Sequence, residues 1–257
     1  ITDVRTLGPG KTIILGLQHT FAMFGATVLV PILTGLPIAT TLLMAGIGTL
    51  LFHLLTKGKV PAFLGSSFAF IGGYTAVAPM LEDGSSNTEM LPYACGGVFC
   101  AGLLYLVLAA LIRGFGAKRV MKFFPPVLTG PIIISIGLIL APSAINNCAT
   151  DWPIAIIALA TVIIFNIWGK GMAKIVPILI GVAVSYVAAI IMGEVDFTGI
   201  QDEPILGLPE LILMKFDVSA IITIMPIALA TMMEHIGDIS AIGATTGKNY
   251  IADPGLH

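Results

Sequence analysis

Long stretches without a charged side chain dominate this sequence of 257 residues. Because a helix needs about 20 apolar residues to cross roughly 30 Å of hydrocarbon, such stretches predict transmembrane spans. With 57% hydrophobic and only 10% charged residues, the chain has too much apolar surface to bury inside a soluble protein of its size. The sequence therefore predicts an all-α polytopic membrane protein. The charge-free stretches cover residues 12–56, 60–81, 90–112, 123–150, 152–169, 175–193 and 218–233.

The number of spans follows from where these stretches are interrupted. The stretch 12–56 is too long for one helix, and its segment PILTGLP, from Pro31 to Pro37, predicts a hairpin turn between two spans. The last stretch contains Pro226 and continues to about Gly247. We therefore expect about eight spans.

The distribution of charge predicts the orientation, because Lys and Arg accumulate in cytoplasmic loops. With eight spans, eleven of the twelve cations fall on one side of the membrane and only Lys215 falls on the other. We therefore expect a multi-pass protein of the cytoplasmic membrane with a cytoplasmic N-terminus. Residues 194–217 are then the longest external connection, which we expect to lie along the interface as a short amphipathic piece. The loop acids lie opposite the cations, at Glu82, Asp83, Glu89, Asp151, Glu194, Asp196, Asp202, Glu203, Glu210 and Asp217.

Several classes of function are excluded by composition. The net charge of −2 and the absence of a dense basic cluster argue against nucleic-acid binding. Cys95, Cys100 and Cys148 are odd in number and lack CxxC or Cys/His spacing, so we expect neither a disulfide framework nor a metal site, and no cofactor.

The third span is unusual in composition. Its sequence VPAFLGSSFAFIGGYTAVAPM, residues 60–80, is rich in Gly, Ser and Thr and predicts a weak helix in its first half. A break at membrane depth is tolerated where it lines a cavity, and a half-helix beginning there would direct free N–H groups at a ligand. Small residues also allow tight helix packing, and composition supports both interpretations equally.

The eighth span contains two carboxylates, Glu234 and Asp238, which are the only ones inside any predicted span. At positions i and i+4 they share one helix face, with His235 about 100° away from Glu234. Acids within the membrane are expensive and indicate a substrate or proton site. The alternative is that Glu234 begins a cytoplasmic end, but residues 231–247 lack the charge of the other cytoplasmic loops.

Two further polar residues, Gln18 and His19, lie in the first span. An isolated His in an apolar helix is more often a hydrogen-bonded structural residue than a ligand. Seven spans precede the eighth, and because seven is odd, a second copy of the unit would enter the membrane inverted, as in many secondary transporters.

Three sequence blocks resemble one known family, the nucleobase/ascorbate transporters, also called nucleobase cation symporter-2. The blocks are QHTFAMFGATVLVP at 18–31, KGKVPAFLGSSFAF at 57–70 and EHIGD at 234–238. The first two are most similar to bacterial uracil permeases. The resemblance extends from about Lys11 to the C-terminal DPGLH.

The resemblance implies a fold of fourteen spans in two inverted repeats of seven, of which this chain would hold the first repeat and one helix more. Spans 1–4, in residues 1–112, and span 8, in residues 218–257, would belong to a core domain. Spans 5–7, in residues 113–193, would belong to a gate domain, through which a homodimer is expected. Spans three and ten would pair as short strands that lead into half-helices.

The resemblance also implies site residues. Glu234 matches the substrate-binding glutamate, Phe68 the residue whose backbone amide meets the base, and Ala26 a wall of the same pocket. We place Ser67, beside Phe68, with the substrate-binding residues. Proton coupling is assigned to Glu234 together with Asp238 and His19, where Asp238 stands at a position that is His in some uracil permeases, and His19 supports the site.

The implied function is proton-coupled symport of a nucleobase, uracil, and not an enzymatic reaction. The sequence begins at Ile1 rather than Met and lacks the second substrate glutamate of span ten, so we expect an N-terminal portion of a permease, for which transport requires that the remainder be supplied.

Other functions remain as alternatives. A purine such as xanthine would fit the same fold, whereas an inorganic anion would be repelled by two acids. An intramembrane enzyme or metal carrier would need three or four convergent ligands, of which only two share the face of Glu234. A structural or channel-like subunit is the last alternative, and the broken span argues against it.

Overall fold

The computed structural model describes residues 8–123, 125–198 and 207–255, and within these residues it is helical, with no β-strand. The long helices are α1 (Pro9–Thr34), α2 (Ile38–Leu55), α4 (Leu91–Phe115), α6 (Pro126–Thr150), α7 (Trp152–Trp168), α9 (Pro177–Met192) and α11 (Ile227–Thr246). The short helices are α3 (Ile71–Val77), α5 (Ala117–Val120), α8 (Met172–Ile175) and α10 (Val218–Ile224). Single helical turns cover Phe68–Phe70, Met121–Phe123 and Ile251–Gly255.

The helices coincide with the predicted charge-free stretches. Among the described residues, five segments are long and apolar enough to cross a membrane, namely Pro9–Thr34, Ile38–Leu55, Leu91–Phe115, Gly130–Thr150 and Val218–Thr246. Three shorter apolar segments in the same part of the chain are Phe68–Val77, Trp152–Trp168 and Pro177–Met192. Large apolar side chains along them are exposed, among them Leu54 at 74% and Ile191 at 80%, as expected where lipid is the solvent. The predicted class, an all-α polytopic membrane protein, is confirmed.

Local chemistry sets the helix boundaries. Gly35, with φ of 77°, ends α1 in a conformation that residues with a Cβ avoid, and Pro37 immediately precedes α2. Asp151 and Asp217 cap α7 and α10, each accepting a hydrogen bond from the backbone N–H three residues later, at 2.9 and 3.0 Å. The hairpin turn predicted between Pro31 and Pro37 is therefore present.

The chain divides into two units, each with its own contacts. The first takes in the described residues of Ile1–Ala26 and Ala141–Leu208, and the second those of Thr27–Leu140 and Pro209–His257. In the first unit, α7 and α9 pack against each other. A Cβ on Gly181 of α9 would lie 2.5 Å from Val162 Cγ2, so this glycine lets the two helices approach closely.

The second unit is built around a core formed by α3, α4, α10 and α11. Its buried side chains are Tyr74, Ala78, Leu91, Ala94, Ala101, Ile224, Ala228 and Met232. Two glycines allow these helices to pack closely. A Cβ on Gly73 would lie 2.8 Å from Ile227 Cδ1, and a Cβ on Gly97 would lie 2.9 Å from Ile224 Cδ1. Pro226 lies in the short interruption between α10 and α11, where the predicted eighth span bends.

The third span is broken, as its composition predicted. Residues 61–67 carry no regular secondary structure, and the helical part runs only from Phe68 to Val77. Thr49 of α2 stabilises the break, since its Oγ1 accepts from the Leu64 N–H at 3.0 Å and donates to the Leu64 carbonyl at 3.2 Å. Ser66 Oγ donates to the Thr27 carbonyl at 3.3 Å. Thr49 thus satisfies backbone groups of the break, and the break in turn donates a side-chain hydrogen bond to α1. The short strand implied by the family resemblance does not form here, because a strand needs a second strand to pair with.

Replacing Thr49 by Val is expected to destabilise the second unit by about 1 to 2 kcal/mol, because the Leu64 N–H and carbonyl lose their shared partner at nearly constant side-chain volume. The measurement is the melting temperature of the detergent-solubilised protein. Thr41→Val is the matched control on the same helix, since Thr41 Oγ1 donates only to the Pro37 carbonyl one turn earlier. Equal melting temperatures for the two variants would contradict this account of the break.

The connection before α10 is described from residue 207 and forms no helix up to residue 217. The Lys215 N–H donates to the Pro92 carbonyl at 3.0 Å, and its ammonium lies 5.7 Å from the centre of the Tyr93 ring. Thr40 of α2 donates to the Glu210 carbonyl. These contacts attach the connection to α2 and α4.

The turn between α3 and α4 is organised by Asp83. Its Oδ1 accepts from the Ser85 hydroxyl at 2.6 Å and from the Ser85 N–H at 2.9 Å. These hydrogen bonds hold the pKa of the exposed Asp83 carboxyl below its usual value, and the hydrogen bond from the Ser85 hydroxyl has the larger effect. The turn therefore keeps a charged, solvated side chain.

Candidate functional site

The candidate site lies in the second unit, where the helical turn Phe68–Phe70 contacts α11. The helix begins at Phe68 immediately after the irregular backbone of residues 61–67. Ser67 occupies the N-cap position with extended backbone, at φ −85° and ψ 125°, but its side chain does not cap the helix. The first N–H groups of a helix have no partner within it, so this turn presents backbone donors, as predicted for a half-helix.

Glu234 of α11 faces this turn. Its carboxyl is half-buried and close enough to the Ser67 hydroxyl for an electrostatic interaction. Within the described residues, Ser67 Oγ and Glu234 Oε2 are nevertheless both buried without a hydrogen-bond partner. Burying a polar atom without a partner costs about 1 to 3 kcal/mol, so these two atoms are suited to contact a polar ligand.

Asp238 lies one turn further along α11 and is exposed. Its negative charge acts on both Glu234 and His235. The pair predicted at i and i+4 is therefore formed on a continuous helix, with Glu234 on the more buried side.

Two predicted residues lie on α1 within the first unit. Ala26 is on the helix, but its side chain is outside what the structure describes. His19 lies seven residues earlier on α1. It belongs to the first unit, whereas Ser67 and Glu234 belong to the second. The structure thus brings together Ser67, Phe68, Glu234 and Asp238, while the contributions of Ala26 and His19 to the same site stay predictions.

A cavity of about 460 Å³ opens beside the break. Gly65, Ser66 and Ser67 line it from the break, and α2, α4 and the connection before α10 supply its other walls. A Cβ on Gly65 would lie 3.1 Å from Thr27 Oγ1, so the break approaches α1 closely at this point. Ser67 therefore belongs both to this cavity and to the surroundings of Glu234, although neither Glu234 nor Phe68 lines the cavity.

Sequence reasoning missed a polar cluster beside Glu234, where α11 meets α4. Tyr105 of α4 donates from its hydroxyl to Thr231 Oγ1 at 2.7 Å, and the same oxygen lies 2.9 Å from His235 Nδ1. A Tyr within an apolar span signals that its hydroxyl needs a partner. That signal does not identify the partner, because it stands on a helix more than a hundred residues away in sequence.

No metal site accompanies these groups in the described part of the chain, where no three His, Cys, Asp or Glu side chains converge.

Comparison with known proteins gives one family. The profile described as "Permease family" matches residues 10–257. A probable uracil permease of Haemophilus influenzae is 40% identical over 256 residues, which cover 96% of this chain and 60% of that protein. The uracil permease of Bacillus subtilis is 39% identical over 276 residues, covering 100% of this chain and 61% of that protein. A putative pyrimidine permease of Escherichia coli strain K12 is 35% identical over 249 residues, covering 93% of this chain and 56% of that protein. The chain thus spans about three fifths of the length of these relatives.

Proposed function

Because the chain belongs to the permease family that matches it from residue 10 to residue 257, we propose that the protein carries a nucleobase, uracil, across the cytoplasmic membrane together with protons. The observation that carries this proposal is the half-buried Glu234 carboxyl facing the Ser67 hydroxyl at the break of the third span. A membrane protein keeps a carboxylate and unpaired polar atoms at such a place for a ligand or an ion.

The chemistry of uracil suits these groups. It has two N–H donors separated by a carbonyl, and a carboxylate accepts such donors strongly, so Glu234 accepts from one of the N–H groups. Its carbonyl oxygens accept from N–H groups at the start of a helix, so the Phe68 amide and the Ser67 hydroxyl donate to a neighbouring carbonyl. Ala26 forms a wall of the pocket.

Proton coupling follows from the same carboxylates. Protonation at or beside Glu234 favours loading of the base, and release of that proton on the cytoplasmic side favours release of the base. Asp238, one turn away, shares the proton, and His19 supports the site. The core segments 1–112 and 218–257 move against the gate segment 113–193, which changes the side from which the base is reached. The N-terminus is cytoplasmic, and a homodimer forms through the gate segment.

The choice of base is the finer part of the proposal. Three relatives are named as uracil or pyrimidine permeases, which favours a pyrimidine over a purine such as xanthine for this chain. Xanthine is the second candidate, because it presents a comparable edge of N–H and carbonyl groups.

Uracil is expected to raise the thermal stability of the detergent-solubilised protein, and xanthine to leave it unchanged. A ligand that binds only the folded state at 100 times its Kd stabilises that state by about 2.7 kcal/mol. The measurement is the melting temperature with uracil, with xanthine and without ligand. A shift with xanthine alone would move the proposal to purines, and no shift with either base would contradict recognition by the residues of this chain.

A further inference from the structure

Hydrogen bonds between side chains link α4 to α11 next to the candidate site. Tyr105 Oη lies 2.7 Å from Thr231 Oγ1 and 2.9 Å from His235 Nδ1. The Tyr105 and His235 rings are also in contact, with centroids 5.5 Å apart. Thr231 is buried, at 1% exposure, and its Oγ1 lies 3.0 Å from the Ala228 carbonyl. Three polar side chains thus share one continuous network between α4 and α11.

The number of protons fixes the direction of every hydrogen bond in this network. Each hydroxyl has a single proton to donate. Thr231 donates its proton to the Ala228 carbonyl, which can only accept, so Thr231 must accept from Tyr105. The Tyr105 proton is then used, and the contact with His235 requires Nδ1 to carry a proton and donate it. The order is His235 Nδ1–H to Tyr105 Oη–H to Thr231 Oγ1–H to the Ala228 carbonyl.

The network also fixes which way Glu234 faces. Thr231 and His235 are four residues apart and lie on the same face of α11, and Glu234 lies about 100° around the helix from His235. Holding that face against α4 therefore holds Glu234 toward the break that contains Ser67. Two carboxylates lie near this network: the charge of Glu234 acts on the Tyr105 hydroxyl, and the charge of Asp238 acts on the imidazole of His235 and on Glu234.

We infer that Tyr105 is a positioning residue for substrate binding: its hydroxyl holds His235 in the Nδ1–H form and sets the rotation of α11, which places the Glu234 carboxyl beside Ser67. This inference rests on the proposed function, because it takes Glu234 to be the carboxylate that binds the base. Tyr105 acts through α11 and does not itself contact the base.

The test uses the intact protein in detergent and a probe of Glu234 that needs no substrate. Dicyclohexylcarbodiimide modifies carboxyl groups in apolar surroundings, and mass spectrometry of the modified peptides separates Glu234 from Asp238. Loss of a hydrogen bond with a net value of about 0.5 to 1.5 kcal/mol corresponds to a factor of about 2 to 12. Tyr105→Phe is therefore expected to speed modification of Glu234 by about threefold or more, because the freed helix lets the carboxyl leave the break.

Tyr186→Phe is the matched control, since Tyr186 is half-exposed on α9 in the first unit. It is expected to leave the rate at Glu234 unchanged. Equal rates in the two Tyr→Phe variants would overturn the inference. If Tyr105→Phe does not fold, Thr231→Val removes the acceptor of the same hydroxyl at constant volume and is expected to give the same acceleration, and the unchanged rate would then overturn it.

The direction of the network is tested at His235. An Asn amide N–H can replace the Nδ1–H of His, whereas the longer Gln side chain places its amide near the position of Nε2. His235→Asn is therefore expected to keep the rate at Glu234 closer to that of the unsubstituted protein than His235→Gln, which should resemble Tyr105→Phe. The reverse order would contradict the Nδ1–H assignment. In the double variant Tyr105→Phe/Thr231→Val the two effects should not add fully, because both substitutions remove the hydrogen bond from Tyr105 to Thr231.

A separate measurement tests the proposed function itself. Uracil is expected to protect Glu234 from modification in the unsubstituted protein. Absence of protection would contradict uracil binding at Glu234, while the comparison of Tyr105→Phe with Tyr186→Phe, which is made without substrate, would still decide the positioning by Tyr105.

Discussion

Replacing Glu234 by Gln in a full-length permease that contains this chain is expected to lower uracil uptake by at least about tenfold, because a hydrogen bond to a charged acceptor is worth about 1.5 to 3 kcal/mol. The Gln side chain keeps the volume of Glu, but its neutral amide oxygen is a weaker acceptor for an N–H of the base than a carboxylate. It also has no proton to take up and release near neutral pH. Uptake should therefore lose its dependence on external pH as well as most of its rate, and initial rates of uptake of radiolabelled uracil across a pH series measure both.

The matched control is Glu82→Gln, which makes the same chemical change at an exposed loop position. It should transport uracil as the unsubstituted protein does. If Glu234→Gln carried uracil at an undiminished rate with an unchanged pH profile, the assignment of both substrate and proton to Glu234 would be wrong.

The second large effect concerns stability. Gly96 is buried in α4, and a Cβ at this position would lie 1.9 Å from the Lys215 carbonyl oxygen. The added Cβ is fixed by the backbone of α4, and the atom it would meet is a backbone oxygen, so neither can rotate away. The hydrogen bond from the Lys215 N–H to the Pro92 carbonyl also holds the connection in place. Overpacking a well-packed region costs typically 1 to 3 kcal/mol, and we expect Gly96→Ala to lose about 3 kcal/mol or more.

The same helix supplies the control for this substitution. A Cβ on Gly102 would meet no atom within 4 Å, so Gly102→Ala should leave stability unchanged or raise it slightly, since Ala favours helix over Gly. Melting temperatures of the two variants in detergent measure the difference. A Gly96→Ala variant as stable as Gly102→Ala would show that the connection does not pack on α4 as described.

The positions of the helices were predictable because hydrophobicity acts locally along the chain. The hairpin turn before Pro37 and the break before Phe68 follow from Pro, Gly and Ser in otherwise apolar stretches. The break was predictable, but its stabilisation was not, because Thr49 looks like any other Thr of an apolar helix until Leu64 is placed beside it.

The residues of the candidate site likewise fall into those that the sequence predicted and one that it did not. The cost of a carboxylate in lipid made Glu234 and Asp238 conspicuous in the sequence, and the family resemblance added Ser67 and Phe68. Tyr105 was not found, because its two partners on α11 come close only when α4 and α11 pack together.

The sequence by itself therefore determined the membrane class, the placement of the apolar helices, the broken third span and the two acids at membrane depth. Each of these follows from the free energy of transferring single residues or short segments between water and lipid. Only the tertiary structure decided that Gly96 lies under Lys215, that Thr49 holds Leu64 and that Tyr105 holds α11. These contacts join residues distant in the chain, and their energies depend on distances of a few tenths of an ångström that no local pattern encodes.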